Sequence, residues 1–113
     1  MKNLFTLIIA VGILLGGCTG DPRPKNISLE AEDIVWNPPL IEAEVGQEIT
    51  LSINNTGALD HNFVSKQMGF DILVSPGETQ SLTFVVTEPG SIEFICDIPG
   101  HEEAGMVGEI LVD

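Results

Sequence analysis

The chain has 113 residues, of which 17 are acidic and only 4 are basic, so its formal charge is −13 at neutral pH. This length has room for one domain, and an acidic surface excludes nucleic acid as a partner because phosphates repel it. Such a surface keeps a protein soluble and attracts cationic partners.

The N-terminal segment is typical of an export signal. Lys2 precedes an apolar stretch over residues 4–15, and about 20 residues would be needed to cross a bilayer. Leu15-Gly16-Gly17-Cys18 resembles the lipobox of bacterial lipoproteins. The resemblance implies cleavage before Cys18 and a lipid thioether on its sulfur; the alternative is ordinary cleavage beside an incidental cysteine.

The predicted organisation follows from this segment. Residues 1–17 are a signal peptide, residues 18–26 are a lipidated N-terminus and tether, and residues 27–113 are the folded domain. The chain has two cysteines. If lipid occupies Cys18, no disulfide can form, and the second cysteine, Cys96, needs another role.

After residue 26 the hydrophobic pattern has a period of two, which predicts half-buried β-strands. The segments with this alternation are residues 27–31, 41–45, 49–53, 82–86, 92–96 and 110–112. Turn residues such as Asn54-Asn55-Thr56-Gly57 and Ser75-Pro76-Gly77-Glu78 separate them. No stretch beyond the signal has a clear helical period. Short strands with such turns predict an antiparallel sandwich or barrel.

The residues with metal-binding chemistry lie near the end of the chain. Cys96, His101 and Met106 have the spacing C-x4-H-x4-M, and strand alternation points Cys96 into the core beside Phe94. Pro99-Gly100 can turn the chain back toward the sulfur. His61 is the one other histidine, and two imidazoles, a thiolate and a weak axial thioether are the ligands of a blue-copper site.

Zinc is the alternative metal for this set. A thiolate and two imidazoles can bind zinc if a fourth nitrogen, sulfur or carboxylate completes a tetrahedron, and Asp97, Glu102 and Glu103 are nearby in sequence. Strand alternation, however, points Asp97 away from Cys96. A thioether is a good ligand for copper(I) and a poor one for zinc, so the sequence favours copper.

Two segments carry a family resemblance: Ala58-Leu59-Asp60-His61-Asn62-Phe63-Val64, and the run from Cys96 through Met106 to Gly108. Together they resemble the type 1 copper cupredoxins, with a ligand spacing similar to auracyanin and rusticyanin and a longer loop than plastocyanin. The resemblance implies an all-β Greek-key sandwich of about seven or eight strands. It also implies one type 1 copper held by His61, Cys96, His101 and Met106, with His101 as the exit for the electron.

One position departs from the family pattern. The asparagine after the first histidine often braces the ligand loop through a serine or threonine after the cysteine; here Asn62 is present, but Asp97 occupies the partner position. The brace can still form with the carboxylate as the acceptor. The added negative charge would then lower the reduction potential.

The resemblance and the export signal together predict a function. We expect a membrane-anchored carrier of single electrons between redox proteins, such as a basic cytochrome or a membrane oxidoreductase. We expect the chain to be a monomer, exported and held by lipid at the outer face of the cytoplasmic membrane or in the periplasm. The alternative is a copper storage or delivery protein. An enzyme is disfavoured because no histidine remains beyond the two proposed ligands.

Overall fold

The computed structural model describes residues 20–113. These residues form nine β-strands and contain no helix, in agreement with the predicted all-β class. In chain order the strands are β1 (Lys25–Glu32), β2 (Val35–Asn37), β3 (Leu40–Ala43), β4 (Glu48–Asn55), β5 (His61–Ser65), β6 (Phe70–Val74), β7 (Thr79–Val85), β8 (Gly90–Ile95) and β9 (Val107–Val112). Within the described range, no helix is long and apolar enough to span a membrane.

The strands form two sheets that face each other. One has the order β2-β1-β4-β7 and the other the order β3-β9-β8-β5-β6. Strand β1 is parallel to β4 and β3 is parallel to β9, whereas the other neighbours are antiparallel. The predicted β-sandwich is therefore confirmed, but each of its two sheets is mixed and not purely antiparallel as expected.

The core lies between the sheets and follows the alternation of the sequence. In β4, Ile49, Leu51 and Ile53 are fully buried, while the residues between them are partly exposed. The ring of Trp36 packs edge-on against Phe63 and Phe94, with centroid distances of 5.9 and 5.7 Å. Edge-on packing is a favoured geometry for aromatic pairs, and the buried Trp36 ring fills the core between the sheets.

The structure has nine strands, slightly more than the seven or eight that the resemblance implies, and three of them, β2, β5 and β6, lie outside the six alternating segments of the sequence. Strand β2 has only three residues, too few for an alternating pattern to be recognised. Strand β6 reads Phe70-Asp71-Ile72-Leu73-Val74, and its exposed Leu73 breaks the alternation.

The first strand also begins earlier than expected. Strand β1 starts at Lys25, so residues 25 and 26, which were predicted to lie in the tether, belong to the sheet. The predicted signal peptide and Cys18 lie outside the described residues.

The topology brings the candidate ligands to one edge of the five-stranded sheet. Strand β5 lies between β6 and β8, and β8 is antiparallel to both β5 and β9. His61 is the first residue of β5, Cys96 follows the last residue of β8, and Met106 precedes the first residue of β9. Because neighbouring strands run in opposite directions, two strand starts and one strand end meet at the same edge.

Candidate metal centre

Three of the four predicted ligands converge at this edge. The Nδ1 atoms of His61 and His101 are 3.2 Å apart, and the Cys96 Sγ lies 3.3 Å from His101 Nδ1 and 3.9 Å from His61 Nδ1. All three side chains are buried: His61 and Cys96 are 0% exposed and His101 is 8% exposed. One sulfur and two ring nitrogens therefore face a common point inside the protein.

Met106 lies at the end of the same loop and is 0% exposed. Its backbone forms hydrogen bonds with the backbones of Cys96 and His101, the other two candidate ligands of this loop. The Cys96 N–H donates to the Met106 carbonyl at 3.1 Å, and the Met106 N–H donates to the His101 carbonyl at 3.0 Å. These bonds fix the spacing of the cysteine, the histidine and the methionine along the loop.

The loop reverses direction twice, and the first turn is the one predicted at Pro99-Gly100. Gly100 and Gly105 both have positive φ angles, of 89° and 104°, a conformation that side chains with a Cβ rarely adopt. The first reversal is closed by the His101 N–H, which donates to the Ile98 carbonyl at 2.9 Å. This turn directs the His101 imidazole back toward the sulfur of Cys96.

A side-chain brace joins the two segments that carry the ligands. The Asp97 N–H donates to Asn62 Oδ1 at 2.9 Å, and Asn62 Nδ2 donates to Asp97 Oδ1. The carboxylate thus takes the place of the expected hydroxyl. Asp97 is exposed while Cys96 beside it is buried, as strand alternation predicts.

Asp33, which no sequence pattern indicated, contacts His61. Its Oδ1 lies 3.0 Å from His61 Nε2, the ring nitrogen that faces away from the other candidate ligands. The same carboxylate accepts hydrogen bonds from the Ala58 and Leu59 N–H groups at 2.8 and 3.3 Å. Asp33 follows β1 in a turn and carries no motif, so the sequence offered no signal for this role.

The environment of Asp33 favours its charged form. The hydrogen bond from the Ala58 N–H holds the pKa of the Asp33 carboxyl below its usual range, and the contacts with His61 and Leu59 act in the same direction against partial desolvation. Asp33 is therefore a carboxylate at neutral pH.

The donor distances fit a single metal ion. Metal–nitrogen bonds near 2.0 Å and metal–sulfur bonds near 2.3 Å place two donors on one tetrahedral ion about 3 to 4 Å apart, and the three separations fall in this range. Among residues 20–113, the one cluster of metal-binding side chains with nitrogen, sulfur or carboxylate donors is His61, Cys96 and His101. It contains no carboxylate to complete a zinc tetrahedron, whereas a buried thioether ends the loop. The set fits copper better than zinc.

Comparison with known proteins agrees with this geometry. The family model described as a cupredoxin-like domain matches residues 5–112. The copper-resistant cuproprotein CopI of Vibrio cholerae is 30% identical over 93 residues, which covers 76% of this chain and 54% of that protein. This chain therefore spans about half the length of that relative.

Solved structures share the fold. Auracyanin A, a blue copper protein of Chloroflexus aurantiacus, is similar with a TM-score of 0.67 and 21% identity, over 80% of this chain and 99% of the other. A copper-containing nitrite reductase of Thermus scotoductus has a TM-score of 0.63 and 21% identity, over 80% of this chain but 28% of the enzyme. The same fold thus occurs in small copper proteins and as one part of larger enzymes.

Proposed function

This chain belongs to the cupredoxin-like family, and we propose that it is a lipid-anchored blue-copper protein that carries single electrons between redox proteins. The observation that carries the proposal is the convergence of the Cys96 sulfur with the Nδ1 atoms of His61 and His101 in a buried site. Met106, which ends the same loop, would be the fourth ligand, and the set would then be that of a type 1 site for one copper.

When bound, copper would supply the copper(II)/copper(I) redox couple, which gains or loses one electron. The residues around it hold their positions, because His61 begins a strand and the ligand loop is closed by backbone bonds and by the Asn62–Asp97 brace. A site that rearranges little between oxidation states transfers electrons with a low barrier. His101 is the most exposed of the four proposed ligands, which supports its role as the route for the electron.

The acidic surface supports a cationic redox partner. Glu102 and Glu103 directly follow His101 and are both exposed, so they place negative charge beside the proposed exit. We propose that this charge steers a basic cytochrome or a membrane oxidoreductase toward His101, and that the chain acts as a monomer.

We expect electron transfer to a basic cytochrome to slow as salt rises. The Debye length falls from about 30 Å at 0.01 M to about 10 Å at 0.1 M, and steering of this kind changes association rates by about 10 to 10³-fold. We would measure the rate of electron transfer by stopped flow across this salt range. The same measurement on the double variant Glu102→Gln with Glu103→Gln tests whether these two charges steer docking. Glu78→Gln with Glu88→Gln removes the same charge from other exposed positions as a control. A rate that is flat with salt and equal in both variants would leave Glu102 and Glu103 without a role in docking.

Copper storage or delivery is the second candidate, because a relative bears the name copper-resistant cuproprotein. Only two methionines, Met68 and Met106, follow the proposed signal peptide, so the domain has no methionine-rich copper site. The two functions differ in whether the protein releases an electron or the copper ion itself. A carrier passes electrons to a redox partner while keeping its copper, whereas a storage protein transfers copper(I) to a competing chelator without a comparable electron-transfer rate.

The lipid anchor has a separate test. Cys18→Ser should move the protein from the membrane fraction to the soluble fraction without changing its absorption spectrum, because the lipidated residue contributes no ligand. Fractionation followed by immunoblotting measures this, and mass spectrometry of the wild-type N-terminus would detect the lipid. A variant that stays in the membrane fraction would contradict lipidation at Cys18.

A further inference from the structure

Asp33 reaches His61 from the opposite sheet. It lies in the turn between β1 and β2 of the four-stranded sheet, whereas His61 begins β5 of the other sheet. Strands β1 and β4 are parallel, with Ala31 opposite Asn55, so both end at the same edge of the sandwich. The turn after β1 therefore meets the loop that leads from β4 to His61.

The carboxylate of Asp33 organises that loop as well as the histidine. Its two oxygens accept the N–H groups of Ala58 and Leu59 and contact His61 Nε2. The His61 ring is fully buried, while the Asp33 side chain is 33% exposed. The carboxylate therefore connects the innermost histidine to the protein surface.

The lack of a side chain at Gly57 leaves space for the Asp33 carboxylate. A Cβ at position 57 would lie 2.6 Å from Asp33 Cγ and closer still to one carboxylate oxygen. The φ angle of Gly57 is not positive, so space for Asp33, and not backbone conformation, requires a residue without a side chain. Asn55 holds the same turn, since its Oδ1 accepts the Gly57 N–H at 2.9 Å.

A carboxylate at Nε2 determines which nitrogen of His61 carries the proton. An ionised carboxylate only accepts hydrogen bonds, so Nε2 must donate, and Nδ1 keeps its lone pair for a metal. Outer partners of this kind orient a ligating imidazole and make it more basic. A nearby negative charge also stabilises copper(II) more than copper(I).

We propose that Asp33 is a positioning residue of the copper site, which fixes the Nε2–H tautomer of His61 and lowers the reduction potential of the copper. The proposal deepens the function proposed above and rests on it for the potential. The effect on the tautomer belongs to the polypeptide alone and can be measured without copper.

The first test uses copper-free protein and does not depend on the metal. Nitrogen-15 NMR at alkaline pH should assign the proton of His61 to Nε2 in the wild type. In Asp33→Ala the two tautomers should be mixed, while circular dichroism shows the same sheet content. A histidine whose tautomer is unchanged in Asp33→Ala would overturn the proposal, whatever the outcome of the copper experiments.

The second test compares reduction potentials of copper-loaded variants. Asp33→Asn keeps one oxygen, which can still accept from His61 Nε2 and the Leu59 N–H, but it removes the charge and the acceptor of the Ala58 N–H. The blue spectrum should remain and the potential should rise. A tenfold fall in copper(II) affinity at constant copper(I) affinity corresponds to about 59 mV for one electron. Asp33→Ala should lower copper(II) affinity by about 10 to 100-fold.

Two control variants separate positioning from general charge. Asp60→Asn removes an exposed carboxylate next to His61 in the chain, and we expect a smaller shift than for Asp33→Asn. Gly57→Ala should displace the Asp33 carboxylate and raise the potential, but it should have no effect in an Asp33→Ala background. Equal shifts for the two aspartate variants, or a Gly57→Ala effect that persists without Asp33, would contradict the proposal. A wild type that is not blue would instead refute the proposed function.

Discussion

Replacing Cys96 by serine should abolish the blue colour of the copper-loaded protein. The intense visible band of such a site arises from charge transfer between a thiolate and copper(II), and Cys96 supplies the buried sulfur beside both imidazoles. Loss of an outer partner of a ligand costs about 10 to 100-fold in metal affinity, so loss of a direct ligand should cost more. Absorption spectroscopy and copper titration measure both effects.

The variant has to be shown to fold before this loss is interpreted. Cys96 is fully buried, and a serine hydroxyl there costs about 1 to 3 kcal/mol if it has no hydrogen-bond partner. Cys96→Ala avoids the buried hydroxyl and should be equally colourless, with near-normal circular dichroism. A folded serine or alanine variant that kept the band would refute Cys96 as a ligand.

Replacing Met106 by leucine should retain copper and raise the reduction potential. Leucine and methionine have similar volumes, so the fold should lose less than about 1.5 kcal/mol. Loss of the weak axial thioether disfavours copper(II) relative to copper(I). We expect a rise on the order of 59 mV, which corresponds to a tenfold change in their relative affinities.

Met68 provides the matched control for this measurement. It is the other methionine after the proposed signal peptide and packs, partly buried, against the core, outside the loop between Cys96 and Met106. Met68→Leu should leave the potential unchanged in cyclic voltammetry. Equal potentials in Met106→Leu and the wild type would exclude Met106 as an axial ligand.

Local patterns in the sequence were sufficient for most of the fold. The alternation of Ile49, Leu51 and Ile53 predicted the buried face of β4, and the same alternation placed Cys96 inside and Asp97 outside. Pro99-Gly100 predicted the turn that directs the loop back toward the Cys96 sulfur. These features depend on neighbouring residues and on a period of two, so the sequence is enough to infer them.

Features that depend on packing between distant segments could not be predicted. Asp33 contacts His61 because β1 and β4 are parallel neighbours. No sequence pattern in either strand predicts that pairing. Strand β2 is held by its pairing with β1 and is too short to have a pattern of its own. The sequence alone did not decide whether Asn62 and Asp97 form the brace. The family resemblance indicated the two positions, but it did not show whether a carboxylate can replace the usual hydroxyl. The structure contains these hydrogen bonds.

The most direct test of the account is the visible spectrum and metal content of the copper-loaded wild-type protein. We predict one copper per chain and an intense blue thiolate-to-copper band that disappears on reduction and returns on oxidation. One copper fits because the site has one thiolate and two imidazoles, and these are the only histidines in the chain. A colourless protein that binds copper(I) only, or a chain that binds zinc or two coppers tightly, would contradict it.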